Sequence, residues 1–193
     1  MRLDLIEVSL VELAMFNKQK GFTLIELVIT VSILALVMAL ALPSFKTSVA
    51  NNKSLGAGGE LVTALNMARS EAIKRGGYAS VCASADGATC LAAGNWAKGW
   101  LVFADKATSD TGAVDIGSVV RYWKDVPANA TVTAVKQSGG SNVDYVRFTG
   151  IGMLANGATL ELNLALPGCK GQQKNQIVVG VAGMITSKKV NCP

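Results

Sequence analysis

The chain contains no histidine. That removes the commonest general base near neutral pH and the commonest metal ligand. Its four cysteines include no Cys-x-x-Cys pair, which argues against a zinc ribbon or a thioredoxin-like redox motif. There is no recognisable nucleophile–base pair and no glycine loop of the kind that cradles phosphate, so nothing in the chain points to an enzyme, a cofactor or a metal. Runs of like charge are absent too. The net charge of +5 is spread along the sequence, which permits weak attraction to nucleic acid or anionic surfaces without establishing either. No repeat or low-complexity tract interrupts it.

What is present is one long apolar run. From Phe22 to Leu42 the only charge is Glu26. A helix of that length spans about 31 Å, enough to cross the hydrocarbon core of a bilayer. Pro43 then marks its end or a kink, because proline lacks a backbone N–H and crowds the preceding turn. A carboxylate inside such a segment costs on the order of 3 kcal/mol, so it calls for a partner and a purpose. Thr23 and Glu26 also have the [ST]-x-x-[DE] spacing of a capping box, a local reading that can coexist with a functional one.

Gly21-Phe22-Thr23-Leu24-Ile25-Glu26-Leu27 resembles the class III signal and N-terminal helix of type IV pilins and of type II secretion pseudopilins. The resemblance implies cleavage by a prepilin peptidase between Gly21 and Phe22, N-methylation of Phe22, and a role for Glu26 in assembly. Residues 1–21 then form a leader, excluded from fold reasoning as a processing signal. Asp4, Glu7 and Glu12 are unusual in such a leader, whereas a start at Met15 leaves only Lys18 and Lys20 as charges. We therefore expect the true start at Met15. Lysines ahead of an apolar span hold that side in the cytoplasm, so the C-terminal bulk is exported. Cleavage removes Arg2, Lys18 and Lys20 with Asp4, Glu7 and Glu12, and the mature charge stays +5.

Residues 43–77 read as an amphipathic continuation of the helix. Leu61, Leu65, Ala68 and Ala72 recur at helical spacing and predict the face that packs on a sheet. Gly56, Gly58 and Gly59 each cost roughly 1 kcal/mol relative to alanine, which predicts a locally weak stretch. Gly76-Gly77 closes the helix. Residues 78–193 read as a β-rich periplasmic head. Its expected strands are 78–84, 100–104, 118–123, 131–135, 144–149, 159–166, 176–181 and 184–190, with turns at Asp86-Gly87, Gly139-Gly140, Asn156-Gly157 and Pro167-Gly168. The fold class is α+β: a type IV pilin-like fold, with a long N-terminal helix packed on an antiparallel β-sheet head.

Residues 68–75, Val81-Cys82, Asp86-Gly87 with Cys90, and Trp96 with 99–105 resemble the GspH/FimT group of minor pilins and pseudopilins; Phe148, Gly152 and 157–160 follow more loosely. Some members of that group bind DNA through a Gly-Arg-x-Arg motif. The matching place here reads Gly183-Met184-Ile185-Thr186, without either arginine. Lys188 and Lys189 lie just beyond, with Lys170 and Lys174 within reach, enough for phosphate attraction but not base readout.

Four cysteines allow three pairings. Cys82 and Cys90 flank a short loop that a tight hairpin closes, leaving Cys169 and Cys192 to clip the final strands. Two disulfides suit an oxidising periplasm. Asp105, Asp110 and Asp115 share a loop that invites a calcium reading, but their spacing is not that of an EF-hand and a solvated loop is preferred. Trp96 and Trp100 are assigned to the core.

The leading expectation is a minor pilin that primes, caps or enters a type IV pilus. The alternative is a type II secretion minor pseudopilin, and a further one is a DNA-binding pilin in natural transformation. Partners implied are other pilins or pseudopilins, the prepilin peptidase and the inner membrane, with nucleic acid weak. The expected location is the inner membrane of a Gram-negative bacterium as a single-pass protein, then the filament.

Overall fold

The computed structural model describes residues 21–92, 96–124, 126–127, 129–169, 171 and 174–192, apart from the side chains at positions 43, 44 and 47. Residues 1–20 of the leader, Met15 among them, and Lys170 lie outside the described residues. The chain divides into two compact units, Met1–Phe45 and Lys46–Pro193. Its long helix, α1, runs Leu24–Arg75.

In the first unit every described side chain of α1 is exposed, and the helix is apolar from Leu24 to Leu42, with a mean hydropathy of 2.6. The helix continues through position 43 rather than ending there. Proline removes one i→i−4 hydrogen bond, and the turns on either side remain helical.

In the second unit the remainder of α1 lies on the strands. Ala57, Leu61, Ala64, Leu65, Ala68 and Ala72 are all buried in the main core, including every residue of the predicted stripe. Fully burying each leucine contributes roughly 1.5–3 kcal/mol. The helix ends in a Schellman arrangement: the Gly76 amide donates to Ile73 O and the Gly77 amide to Ala72 O, both at 3.2 Å. The glycines at 56, 58 and 59 do not interrupt it. At Gly58 a Cβ would lie 2.8 Å from the side chain of Asn175, so its absence admits that amide, which donates to Ser54 O at 2.7 Å and Ser54 Oγ at 2.9 Å.

Eight strands follow among the described residues: β1 (Tyr78–Ala83), β2 (Trp100–Asp105), β3 (Ile116–Trp123), β4 (Thr131–Lys136), β5 (Tyr145–Phe148), β6 (Leu160–Ala165), β7 (Lys174–Val179) and β8 (Ile185–Val190). They form two antiparallel sheets rather than one, in the orders β3-β2-β1-β5 and β4-β6-β7-β8. The sheets bury their faces differently. β1 and β2 are almost wholly buried, because loops cover the side away from the main core, where Cys82, Leu101 and Phe103 form a second cluster with Val114, Tyr122 and Tyr145. β6 and β7 alternate strictly, buried on one face and partly open on the other. Trp96 and Trp100 are both fully buried, and the Trp96 indole donates to Val143 O at 3.0 Å.

Candidate assembly site

Thr23 starts α1. Its hydroxyl accepts the Glu26 amide at 3.2 Å and its carbonyl accepts the Leu27 amide at 3.1 Å, the bonds of an N-cap. Glu26 therefore occupies the first turn, where the helix dipole favours a negative charge. Its carboxylate has no ion-pair partner among the described residues, and it sits on a helix of exposed leucines, isoleucines and valines. The hydroxyls in the same run are satisfied internally: Thr30 donates to Leu27 O at 2.9 Å and Ser32 to Val28 O at 2.7 Å. A lipid-facing helix requires this, since no water is present to pair with such groups. Gly21 and Phe22 precede the helix as exposed, irregular chain. The geometry is that of an apolar rod carrying one free carboxylate a single turn from its beginning.

The cysteines are joined as Cys82–Cys90 and Cys169–Cys192, with Cα–Cα separations of 5.6 and 5.8 Å. Inside the first loop, Asp86 accepts the Ala88 and Thr89 amides and the Thr89 hydroxyl, and these bonds hold its carboxyl well below the usual range. The second bridge ties the end of β8 to the turn after β6, where the Cys192 amide donates to Gly171 O.

Strand geometry separates the two candidate DNA lysines. Lys188 pairs with Gln176 and Lys189 with Asn175, so they point to opposite faces of their sheet. Lys189 turns inward, where its ammonium donates to Asn51 Oδ1 on α1 at 2.6 Å, while Lys188 is exposed. The position resembling the arginine motif lies on the β7–β8 hairpin. Gly183 there has φ +76°, and a Cβ would meet Gly152 O at 1.9 Å, which leaves glycine as the residue that fits. Exposed Met184 follows it.

The aspartate loop is built around a residue that sequence reasoning passed over. Arg147 donates to Asp105 Oδ2 and to the carbonyls of Ser109, Asp110, Gly112 and Ala113, all at 2.8–3.2 Å. The guanidinium also lies 4.6 Å from the Tyr145 ring centroid. Asp105 is buried, and its carboxylate accepts from Ser80, Ala107 and Asp115 besides Arg147. Of the three aspartates, the first is thus an internal anchor rather than part of a solvated loop. β5 is buried on both faces, with Val146 and Phe148 in the main core and Arg147 on the opposite side, so no alternation in the sequence marks Arg147 as internal.

No protein of curated function matches the chain in sequence. Among solved structures it is similar to the type IV minor pilin FimU of Pseudomonas aeruginosa in two crystal forms. The P21 form gives a TM-score of 0.55 at 22% identity, covering 74% of this chain and 96% of that one. The P65 form gives 0.52 at 22% identity, covering 72% and 99%. The minor pseudopilin EpsH from the Type 2 Secretion System of Vibrio cholerae gives 0.48 at 8% identity, covering 70% and 94%. The prokaryotic N-terminal methylation motif matches residues 16–42, and the family of the type II transport protein GspH matches residues 57–183. By that match this chain belongs to the GspH family, whose architecture is the type IV pilin-like fold described above.

Proposed function

We propose that this protein is a minor pilin of a type IV pilus, processed between Gly21 and Phe22, methylated on Phe22, and drawn into the filament through its apolar helix. The observation that carries the reading is Glu26, a free carboxylate one turn into an exposed, membrane-length helix. In a bundle of such helices its best partner is the N-terminal amine of a neighbouring subunit, the one strong cation at that depth. Charge pairing there offsets the penalty of placing either group in lipid and fixes the stagger between subunits. Before assembly the helix anchors the protein in the inner membrane with the head in the periplasm of a Gram-negative cell. The FimU likeness supports the pilus reading. The GspH family match favours a second one, a minor pseudopilin of type II secretion with the same helix chemistry.

Two measurements test this. Mass spectrometry of envelope protein should find a methylated Phe22 as the N-terminus; assembled material still carrying Met1 or Met15 would refute it. Glu26→Ala should insert and be processed but be depleted from sheared filaments by about tenfold, the effect of losing a charge pair. Normal incorporation would leave Glu26 with no role beyond the helix start.

A further inference from the structure

The last turn of α1, the loop after β5 and the β7–β8 hairpin meet at one end of the head. Ile73 Cδ1 lies 2.7 Å from where a Cβ on Gly152 would stand, so helix and loop touch with no side chain between them. The hairpin closes on the same place: Gly183 packs against Gly152 O, and the Leu154 amide donates to Val181 O at 2.9 Å. Arg69 ties all three together. From α1 its Nε donates to Gly152 O at 3.0 Å and its Nη2 to Ala182 O at 3.5 Å. Each turn is also closed on itself, Gly152 N donating to Thr149 O and Gly183 N to Gly180 O, both at 2.8 Å.

The side chains that this clamp presents outward are apolar. Ile151 and Met153 flank Gly152, Met184 follows Gly183, and Ile73 and Val181 complete the surface; Ile151 is 77% exposed and Met184 65%. None of the five packs into either buried cluster of the head, so folding does not call for apolar groups there. Single exposed apolar residues need no explanation, but five on segments pinned together do. Their exposed parts amount to on the order of 500 Å², a patch of the size that is often functional on a monomer. The charge around it has one sign. Arg69 and exposed Lys74 have no carboxylate in ion-pair range among the described residues. Glu71 lies about 160° round the helix from Ile73 and is engaged by Arg75.

We propose, on the pilin reading above, that this surface docks on the head of a neighbouring pilin of a different kind, one with an apolar centre and acidic side chains at its rim. Area and charge choose that occupant. A complex that stands on its own buries about 800 Å² on each side, so the patch is too small to hold a free soluble partner. It suffices where apolar helices already keep two subunits side by side, because the second contact then forms at high effective concentration. Charge disfavours a symmetric pair of this chain, in which Arg69 and Lys74 of one copy would face those of the other. Duplex DNA gains little here, since Met184 offers it neither charge nor a hydrogen bond. The clamp through Arg69 holds the apolar groups in place beforehand, which lowers the ordering cost of a small contact.

The test replaces Met184 by the photo-crosslinker p-benzoylphenylalanine in the full chain, in cells that assemble filaments, and maps the adducts in sheared filaments by peptide mass spectrometry. We expect a one-to-one adduct with the head of another chain that carries a processed pilin N-terminus, on a segment containing Asp or Glu. Ile151→Glu and Lys74→Glu should each lower that adduct by about tenfold or more, with the melting temperature of the head unchanged. Ile151→Leu should keep it, as should Lys124→Glu, a charge reversal beside Glu60 earlier along α1. The proposal is overturned by an adduct with a second copy of this chain, with lipid or with a chain that is not a pilin. It is equally overturned by no adduct when the chain is present in the filaments, or by an equal loss in Lys124→Glu. Absence of the chain from filaments would instead remove the pilin reading itself, and this contact with it.

Discussion

Arg147 and Asp105 meet in the interior of the head, 42 positions apart in sequence, and hold the loop between β2 and β3 by its own carbonyls. Removing one member of a buried pair leaves the other charge uncompensated, a loss of about 3–5 kcal/mol. Arg147→Met should therefore lower the urea midpoint by that equivalent, while Arg147→Met with Asp105→Asn should recover part of it. The pair also sets a pH dependence. Burial alone would raise the Asp105 carboxyl, but donors from Ser80, the Asp115 and Ala107 amides and Arg147 hold it below its ordinary 3.8. A carboxyl lowered by folding adds stability above its unfolded pKa and loses it as pH falls through the folded value. Wild-type protein should thus lose stability between about pH 5 and pH 2, and Arg147→Met should show a shallower loss in acid unfolding. An equal slope in the variant would assign the acid sensitivity elsewhere. Glu26 was legible from sequence because a charge in an apolar run stands out at once. Arg147 was not, because a strand arginine carries no local mark of a partner in a distant strand.

At the scale of elements, the strand expectations match β1 to β8 within two residues at each end, since alternation and turn residues mark strand limits directly. The division into two sheets was not legible. Period-two patterning says which face is buried but not which strand lies alongside. At Gly58 propensity tells only part of the story: it marks a local weakness, and the structure also uses the missing Cβ to seat Asn175. Together with Lys189–Asn51, that contact fastens β7 and β8 to α1 independently of the Cys169–Cys192 bridge. Cys169→Ser with Cys192→Ser should lower stability by about 2–4 kcal/mol through the freed loop, yet leave the head folded. Hydrogen exchange should quicken in β8 and stay unchanged in β1 and β2. Equal acceleration in both sheets would show that the clip secures the whole head rather than its last strands.

At the scale of the molecule, a net charge of +5 invites a nucleic-acid reading that the placement of the charges resists. Tight binding needs several cations converging on one surface, each adding close to one unit to the salt slope. Lys188 and Lys189 diverge by strand alternation, and Lys189 is engaged by Asn51. On the outer face, Lys188 and Lys174 share their surroundings with Glu161, whose carboxylate they help to keep ionised. The hairpin residue that follows Gly183 is methionine, an exposed apolar group where the resembled motif has arginine. Association with DNA should accordingly be weak, blind to sequence and steeply salt-dependent. In a gel shift the full chain in detergent should retain little duplex DNA at about 150 mM salt. The two lysines should also separate by readout. Lys188→Ala should reduce the residual low-salt binding without altering stability. Lys189→Ala should lower the melting temperature by a few degrees, the scale of one lost charge-assisted hydrogen bond of about 1.5–3 kcal/mol, and should leave DNA retention unchanged. Micromolar or tighter binding that requires both lysines would mean that β8 leaves its place beside α1 to present them together, and it would make DNA uptake the leading function.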